Sequence, residues 1–282
     1  TGQVMVVLVT NGARFPGGQA RGREFAQRIA DQSAEVRSVA QVVADAAGDM
    51  QHIARGISRR GKASMGANRS QGSTIILWGE SAIVDVLDGL KFRISATSFY
   101  QVNPSQTVTL YRKAVEYAGL TGRERVLDAY SGVGTVSLFM ARAAREVYGI
   151  ESVRTAVHDA RANVELNAIT NARFIEGRVE RVLPALLREG VTFDVAVVDP
   201  PRAGCDREAL LALAGGATDS DGTRALGGVP QIVYISCNPS TLARDLAILS
   251  GLDYRIVEVQ PVDMFPHTHH VETVVLITRV TK

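Results

Sequence analysis

Arg125-Val-Leu-Asp-Ala-Tyr-Ser-Gly-Val-Gly-Thr-Val-Ser-Leu138 decides the fold. A short apolar run ends at Asp128, a turn with glycines at 132 and 134 follows, and an amphipathic pattern starts near Gly134. That order predicts a buried strand, a tight turn and a helix. Glycines let the backbone approach a ligand closely, and the helix N-terminus faces whatever binds there. A second strand, Val147-Tyr-Gly-Ile-Glu151, ends in an acidic residue suited to gripping two ribose hydroxyls. Its distance from the glycine turn fits the roughly 20-residue spacing of dinucleotide folds.

An isolated Gly-x-Gly is usually a plain turn, and two glycines fall short of the three-glycine dinucleotide fingerprint. With Asp128 before Gly132 and Glu151 after it, the segment favours a nucleoside cofactor without a pyrophosphate, S-adenosylmethionine. Two more strand ends carry chemistry. Phe193-Asp-Val-Ala-Val-Val-Asp-Pro-Pro-Arg-Ala-Gly204 ends a buried strand at Asp199, and two prolines stiffen the turn after it. Val233-Tyr-Ile-Ser-Cys-Asn-Pro-Ser240 runs from an apolar strand into Cys237, and Asn238-Pro239 makes a sharp turn that can hold the sulfur exposed. Most cysteines pack as small hydrophobes. Here the thiol stands at the carboxyl edge, where open α/β sheets hold ligands. The other cysteine, Cys205, leaves no framework for a metal cluster.

Asp-Pro-Pro-Arg at 199–202, Ser-Cys-Asn-Pro at 236–239 and Met264-Phe-Pro-His-Thr-His-His-Val-Glu272 resemble the RNA uracil-5 methyltransferase family, which makes 5-methyluridine. Ser98-Phe-Tyr-Gln-Val-Asn-Pro104 is similar to the segment that opens that family's catalytic domain. The motifs follow in matching order over roughly residues 75 to 280, which makes the likeness far more specific than the glycine turn. The resemblance implies a Rossmann-like class I methyltransferase sheet with helices on both faces, preceded by a small α/β subdomain. It also implies S-adenosylmethionine positions at Gln101, Tyr130, Thr135, Glu151 and Asp199, beside the close approach at Gly132. Family members often show asparagine where Thr135 stands, and Arg178 replaces a commonly shorter polar residue.

The chemistry explains the residue types. Carbon 5 of uracil is a weak nucleophile at neutral pH, and a thiolate adding to carbon 6 activates it. Cys237 is the candidate nucleophile, because the thiolate is the competent form. After methylation a base must remove the carbon 5 hydrogen so that the thiol can leave, and the resemblance gives that role to Glu272. Arg202 reads equally as a phosphate contact or a surface ion-pair partner. His267, His269 and His270 invite a metal reading, but with no cysteine nearby packing or a hydrogen bond is the expectation, and no metal is predicted.

The chain has 282 residues, 46% of them hydrophobic, enough for one large domain or two smaller ones. A net charge of +2 argues against a polybasic nucleic-acid binder. No apolar run approaches a membrane span and no signal-peptide pattern appears. Two cysteines fit a reducing cytoplasm. Starting at Thr1 without a methionine, the chain reads as a fragment; the family's usual N-terminal RNA-binding barrel and occasional iron–sulfur site are expected to be missing.

Residues 1–92 read as a small α/β unit with possible RNA contacts, and 93–282 as the catalytic domain. Within the first, Gln51–Ser73 carries Arg55, Arg59, Arg60, Lys62 and Arg69 without an acidic residue, as either a solvated hairpin tip or a phosphate-contacting loop. Asp88-Gly89 reads as a hairpin turn. Beyond Thr97, strands alternate with helices, as in a doubly wound parallel sheet. Gly215–Pro230 reads as a polar loop.

The expected partner is an RNA, transfer or ribosomal, with no membrane and no obligate protein partner. Three rivals remain. A cytosine-5 methyltransferase would carry a Pro-Cys signature, absent here. An amino-group methyltransferase would place an aromatic residue after Asp-Pro-Pro, where this chain has Arg202. A non-catalytic RNA-binding or chaperone module could keep the fold without turnover.

Overall fold

The computed structural model describes residues 1–12, 15–44, 74–215 and 228–280. The basic Gln51–Ser73 segment and most of the Gly215–Pro230 loop lie outside them. The chain divides into two compact units, Thr1–Tyr100 and Gln101–Lys282.

The first unit contains β1 (Val4–Asn11), α1 (Gln19–Ala30), β2 (Val36–Ala44), β3 (Thr74–Gly79), β4 (Ala82–Leu87) and β5 (Leu90–Ser95). β1 runs parallel to β2, and β2 antiparallel to β3. Ala26 of α1 packs with Val36, Val39 and Leu77 from the sheet. β4 and β5 form the expected hairpin. Asp88 and Gly89 have φ of 51° and 79°, the pair of positive angles that a two-residue type I′ turn needs. The unit extends past the expected break at residue 92, because that break would cut β5, which pairs along its length with β4.

The second unit contains α2 (Pro104–Ala118), β6 (Arg125–Ala129), α3 (Thr135–Ala141), β7 (Glu146–Glu151), α4 (Arg154–Leu166), β8 (Ala172–Glu176) and α5 (Val179–Arg188). There follow β9 (Val195–Val198), α6 (Arg207–Leu213), β10 (Gln231–Ser236), α7 (Pro239–Ser250), β11 (Tyr254–Val262) and β12 (Glu272–Arg279). Its strands form one seven-stranded sheet in the order β11-β12-β10-β9-β6-β7-β8. The strand order reverses between β6 and β9, which opens a crevice at the carboxyl ends.

The central strands are apolar without alternation because both faces are covered. Leu127, Ala129, Ala196, Val198, Ile232 and Tyr234 pack against Leu183 of α5, Leu210 of α6 and Leu242 of α7. The alternate residues Val126, Val197 and Val233 are also buried and face the other way, where α2, α3 and α4 lie on the sheet.

One feature departs from an all-parallel sheet. β12 pairs antiparallel to both β10 and β11. Its first residue, Glu272, therefore lies at the edge where β6, β7, β9 and β10 end. Sequence periodicity reports a strand but not its direction.

Two helices start by the same device. Asn103 accepts from Gln106 N at 3.3 Å and Pro104 opens α2; Asn238 accepts from Ser240 N at 3.1 Å and Pro239 opens α7. The side chain satisfies a free donor, and proline supplies a helical φ where no N–H is needed.

The packing around β7 yields a stability test. A Cβ at Gly149 would lie 2.4 Å from Phe174 Cδ1 and 2.9 Å from Ser131 Oγ. Gly149→Ala should lower stability by about 1–3 kcal/mol through overpacking. Urea unfolding followed by circular dichroism measures it, and an unchanged midpoint would contradict this packing.

Candidate active site

Strand register assembles the site. Ala129 of β6 lies opposite Ile150 of β7 and Val198 of β9, so Tyr130, Glu151 and Asp199 follow at one edge. Ser236 of β10 pairs with Thr273 of β12, so Cys237 and Glu272 are the next residues on neighbouring strands. All the sequence-predicted site residues belong to the second unit.

The glycine turn is held from several sides. Tyr130 N and Ser131 N both donate to Ile150 O at 3.0 Å, and buried Asn163 donates from Nδ2 to Val133 O at 3.0 Å. Tyr130 has φ of 69°, in the left-handed region that few non-glycine residues occupy. Its ring packs against the core, and its hydroxyl adjoins the Cys205 sulfur. The two glycines divide the work. A Cβ at Gly134 would meet Phe174 Cζ at 2.7 Å, whereas a Cβ at Gly132 would meet nothing within 4 Å. Gly134 serves packing, and Gly132 borders open space.

Glu151 is anchored beside that opening. Its Oε2 accepts from Gly132 N at 3.0 Å, and its Oε1 accepts from Val153 N at 2.7 Å. Ser152 Oγ also donates to Oε1, at 3.3 Å, and since a carboxylate has about four acceptor positions, capacity remains for a ligand hydroxyl. Asp128, fully buried, accepts from Ser137 Oγ at 2.5 Å through Oδ2. Asp128 Oδ1 and Ser131 Oγ are buried without a protein partner. Such orphans call for an explanation, and a bound polar ligand is one.

Tyr111, on the buried face of α2, completes this half. Its hydroxyl lies 3.3 Å from Thr135 Oγ1, it hydrogen-bonds Gln101, and the Asp199 charge acts on it. Sequence reading passed over Tyr111, although Thr107, Leu110, Tyr111 and Ala114 recur at the spacing of one buried helix stripe. A tyrosine on such a stripe needs a partner for its hydroxyl, and that was the available signal.

The second half gathers Cys237, Arg202, Asp199 and Glu272. Glu272 is 4% exposed, and burial pushes its carboxyl up to about 7 against the pull of Arg202. Asp199 keeps some accessible surface but lies deep among protein atoms. Burial holds it well above the usual carboxylate range, and Glu272 and Asp128 push the same way. Burial also raises the Cys237 thiol, as do the charges of Glu272 and Asp199. Arg202 opposes this by its charge and by a hydrogen bond to the sulfur. Arg202, though exposed, thus faces the Cys237 sulfur and is more than a surface ion-pair partner.

The loop bearing Arg202 is tied to the turn that follows Cys237. Asn238 Nδ2 and Thr241 Oγ1 each donate to Arg202 O at 3.1 Å. Of the three histidines, His270 lies near Arg202, and desolvation, His269 and Arg202 lower its pKa. Among the described residues no group of His, Cys, Asp and Glu could hold a metal ion, and no helix is long and apolar enough to cross a membrane.

The model of the tRNA (uracil-5-)-methyltransferase family matches residues 67–280. An uncharacterized RNA methyltransferase of Caldanaerobacter subterraneus subsp. tengcongensis is 45% identical over 281 residues, covering 99% of this chain and 54% of that protein. Another, of Clostridium acetobutylicum, is 43% identical over 282 residues, again 54% of its length. The chain thus spans about half the length of the curated relatives it matches. Among solved structures, the Pyrococcus abyssi tRNA (uracil-54, C5)-methyltransferase in complex with S-adenosyl-L-homocysteine aligns with a TM-score of 0.64 at 32% identity. That match covers 98% of this chain and 56% of the other. Trm5b of Pyrococcus abyssi, at 16% identity and a TM-score of 0.57, shares the fold alone.

The buried carboxyls give a stability test. Asp128 is raised from 3.8 to about 7 by burial, with Ser137 pulling the other way and Glu151 adding to the rise. A carboxyl raised on folding favours the native state only while protonated, so stability falls as pH climbs from about 4 to about 7. Asp128→Asn removes one such group and should flatten that fall by on the order of a few kcal/mol. Urea midpoints at several pH values measure this. Parallel curves for parent and variant would contradict a raised Asp128.

Proposed function

For a chain that belongs to the tRNA (uracil-5-)-methyltransferase family, we propose that it transfers a methyl group to carbon 5 of a uridine in transfer or ribosomal RNA. Cys237 is the nucleophile and Glu272 the base. One observation carries the reading: a thiol, a cation and two raised carboxyls converge where β9 and β10 end and β12 begins.

S-adenosylmethionine, when bound, supplies an electrophilic methyl on a sulfonium sulfur. The residues present fit it. Glu151, with acceptor capacity left over, suits a ribose hydroxyl, and the open side of Gly132 admits the ligand against the backbone. The orphaned atoms of Asp128 and Ser131 can take its polar groups. Gln101, Thr135 and Asp199 complete the set, while Tyr130, whose ring packs in the core beside Cys205, can offer the ligand only its backbone.

The Cys237 thiolate adds to carbon 6 of the uracil, and the electron pair of the 5,6 double bond makes carbon 5 nucleophilic. Arg202 stabilises the thiolate before attack and again when it leaves. Once carbon 5 bears the methyl, the Glu272 carboxylate accepts the carbon 5 proton. The double bond re-forms, the carbon–sulfur bond breaks, and Cys237 departs as thiolate. A base near 7 suits this task, because it is ionised often enough to act and basic enough to accept a proton. The thiol must reach carbon 6 from one ring face, so a stacked uracil cannot react and the base must be unstacked.

RNA containing 5-fluorouridine tests the covalent route, since fluorine at carbon 5 cannot be removed as a proton. A stable protein–RNA adduct should form only with S-adenosylmethionine present, and Cys237→Ala should form none while binding the cofactor within about three-fold of the parent. Retained turnover in Cys237→Ala would overturn the assignment.

Glu272→Gln should still add and methylate but stall before elimination. Adduct with ordinary RNA should then accumulate on denaturing gels, with turnover down at least about 100-fold. The sign of the pH dependence follows from the base acting as carboxylate: release of product in the parent should rise with pH to a plateau above about 7. A flat profile from pH 5 to 8 would exclude Glu272 as the base.

A further inference from the structure

We propose that Asp245, together with Arg244, is a positioning residue that holds the 199–205 loop so that the Arg202 guanidinium meets the Cys237 sulfur. The inference rests on the reading of Cys237 as the nucleophile. α7 begins two residues after Cys237, and Thr241, Arg244 and Asp245 stand at i, i+3 and i+4 on one of its faces. That face lies against the loop.

Asp245 is fully buried, and both of its oxygens are engaged. Oδ2 accepts from Cys205 N and from the Tyr234 hydroxyl, each at 2.7 Å. Oδ1 accepts from Arg244 Nε at 2.8 Å and Nη2 at 2.7 Å. Arg244 Nη2 also donates to Ala203 O at 2.9 Å and Cys205 O at 3.3 Å. Gly204, with φ of +76°, leaves no room beside the pair: a Cβ there would lie 2.4 Å from Arg244 Nη2 and 2.5 Å from Asp245 Oδ2.

The backbone of 202–205 is therefore clamped at each residue. Arg202 O is taken by Asn238 and Thr241, Ala203 O by Arg244, and Cys205 N by Asp245, while Gly204 N closes a turn on Pro201 O at 2.7 Å. Charged hydrogen bonds are directional, and a buried carboxylate with several donors tolerates little displacement. The loop's geometry then decides where Arg202 points. No part of the reacting uracil need touch Asp245 or Arg244, so their influence on the chemistry is indirect.

The test follows the reactivity of Cys237 itself. Alkylation by iodoacetamide is measured from pH 6 to 10 on the full chain, peptide by peptide, so that buried Cys205 is scored separately. Arg244, whose side chain is 50% exposed, can be changed without opening the core. Arg244→Gln should move the Cys237 profile to higher pH and slow alkylation at pH 8 by up to about ten-fold, one pKa unit being a factor of ten. The rate constant of methyl transfer should fall in step, with KM for the cofactor unchanged, and Arg244→Lys should restore part of both. Asp245→Asn should act in the same direction.

The decisive comparison is a double-mutant cycle. In an Arg202→Gln background, Arg244→Gln should shift the profile no further. An equal shift in both backgrounds, or a parental profile in folded Arg244→Gln, would overturn the proposal. If Asp245→Asn does not fold, Arg244→Gln alone decides. A parent that forms no adduct with 5-fluorouridine RNA would instead remove the nucleophile reading, with the alkylation cycle still reporting the coupling.

Discussion

Antiparallel pairing of β10 with β12 is the constraint on which the proposed chemistry depends. In a sheet whose other central strands run parallel, only a reversed strand can present its first residue where its neighbours present their last. Ser236 opposite Thr273 puts the thiol and the carboxyl on adjacent strands, with no loop between them to blur the spacing. Shifting the pairing by one residue would turn every side chain of β12 to the other face. Val274, Val275 and Ile277 of that strand are fully buried and would all have to repack, which makes that shift costly. Core packing thereby sets the positions of Cys237 and Glu272 relative to one another.

The electrostatics of the site follow from crowding carboxyls where water is scarce. Asp128, Asp199 and Glu272 are all raised, chiefly by burial, and the charges of Glu272 and Asp128 raise Asp199 further. Arg202 is the cation that acts on both Cys237 and Glu272. Glu272, pushed toward neutrality, can both hold and release a proton near pH 7, which suits the base of the proposed reaction, whereas the Cys237 thiol is pushed the other way and relies on Arg202 to favour its thiolate. The same arrangement costs stability at high pH, as is common where residues are placed for chemistry rather than for folding.

Loops at the strand ends are held by side chains from the helices that follow them. Asn238 both caps α7 and grips Arg202 O, and Asn103 caps α2 while donating from Nδ2 to Met264 O at 3.0 Å, just before the histidine segment. One short polar side chain thus satisfies a helix end and fastens a distant loop. Rigid placement of this kind keeps the barrier low at the moment of reaction, because the groups need not be gathered then.

By itself the sequence determined the order and kind of elements in the second unit, since apolar runs and helical stripes are local patterns that burial on both sheet faces demands. It also marked Cys237, Asp199 and Glu151, because a reactive or acidic residue directly after a buried strand can hardly be anywhere but the carboxyl edge. Glu272 was legible only through its motif, for a residue that begins a strand belongs at the opposite edge unless the strand is reversed, and period-2 alternation carries no direction. Tyr111 and Asp245 lie inside helices, where their letters read as ordinary interior and surface positions. Their partners, Thr135 and Gln101 in one case and Cys205, Tyr234 and Arg244 in the other, come mostly from other elements. Side-chain hydrogen bonds between elements have no sequence period, so those roles were decided by the tertiary structure.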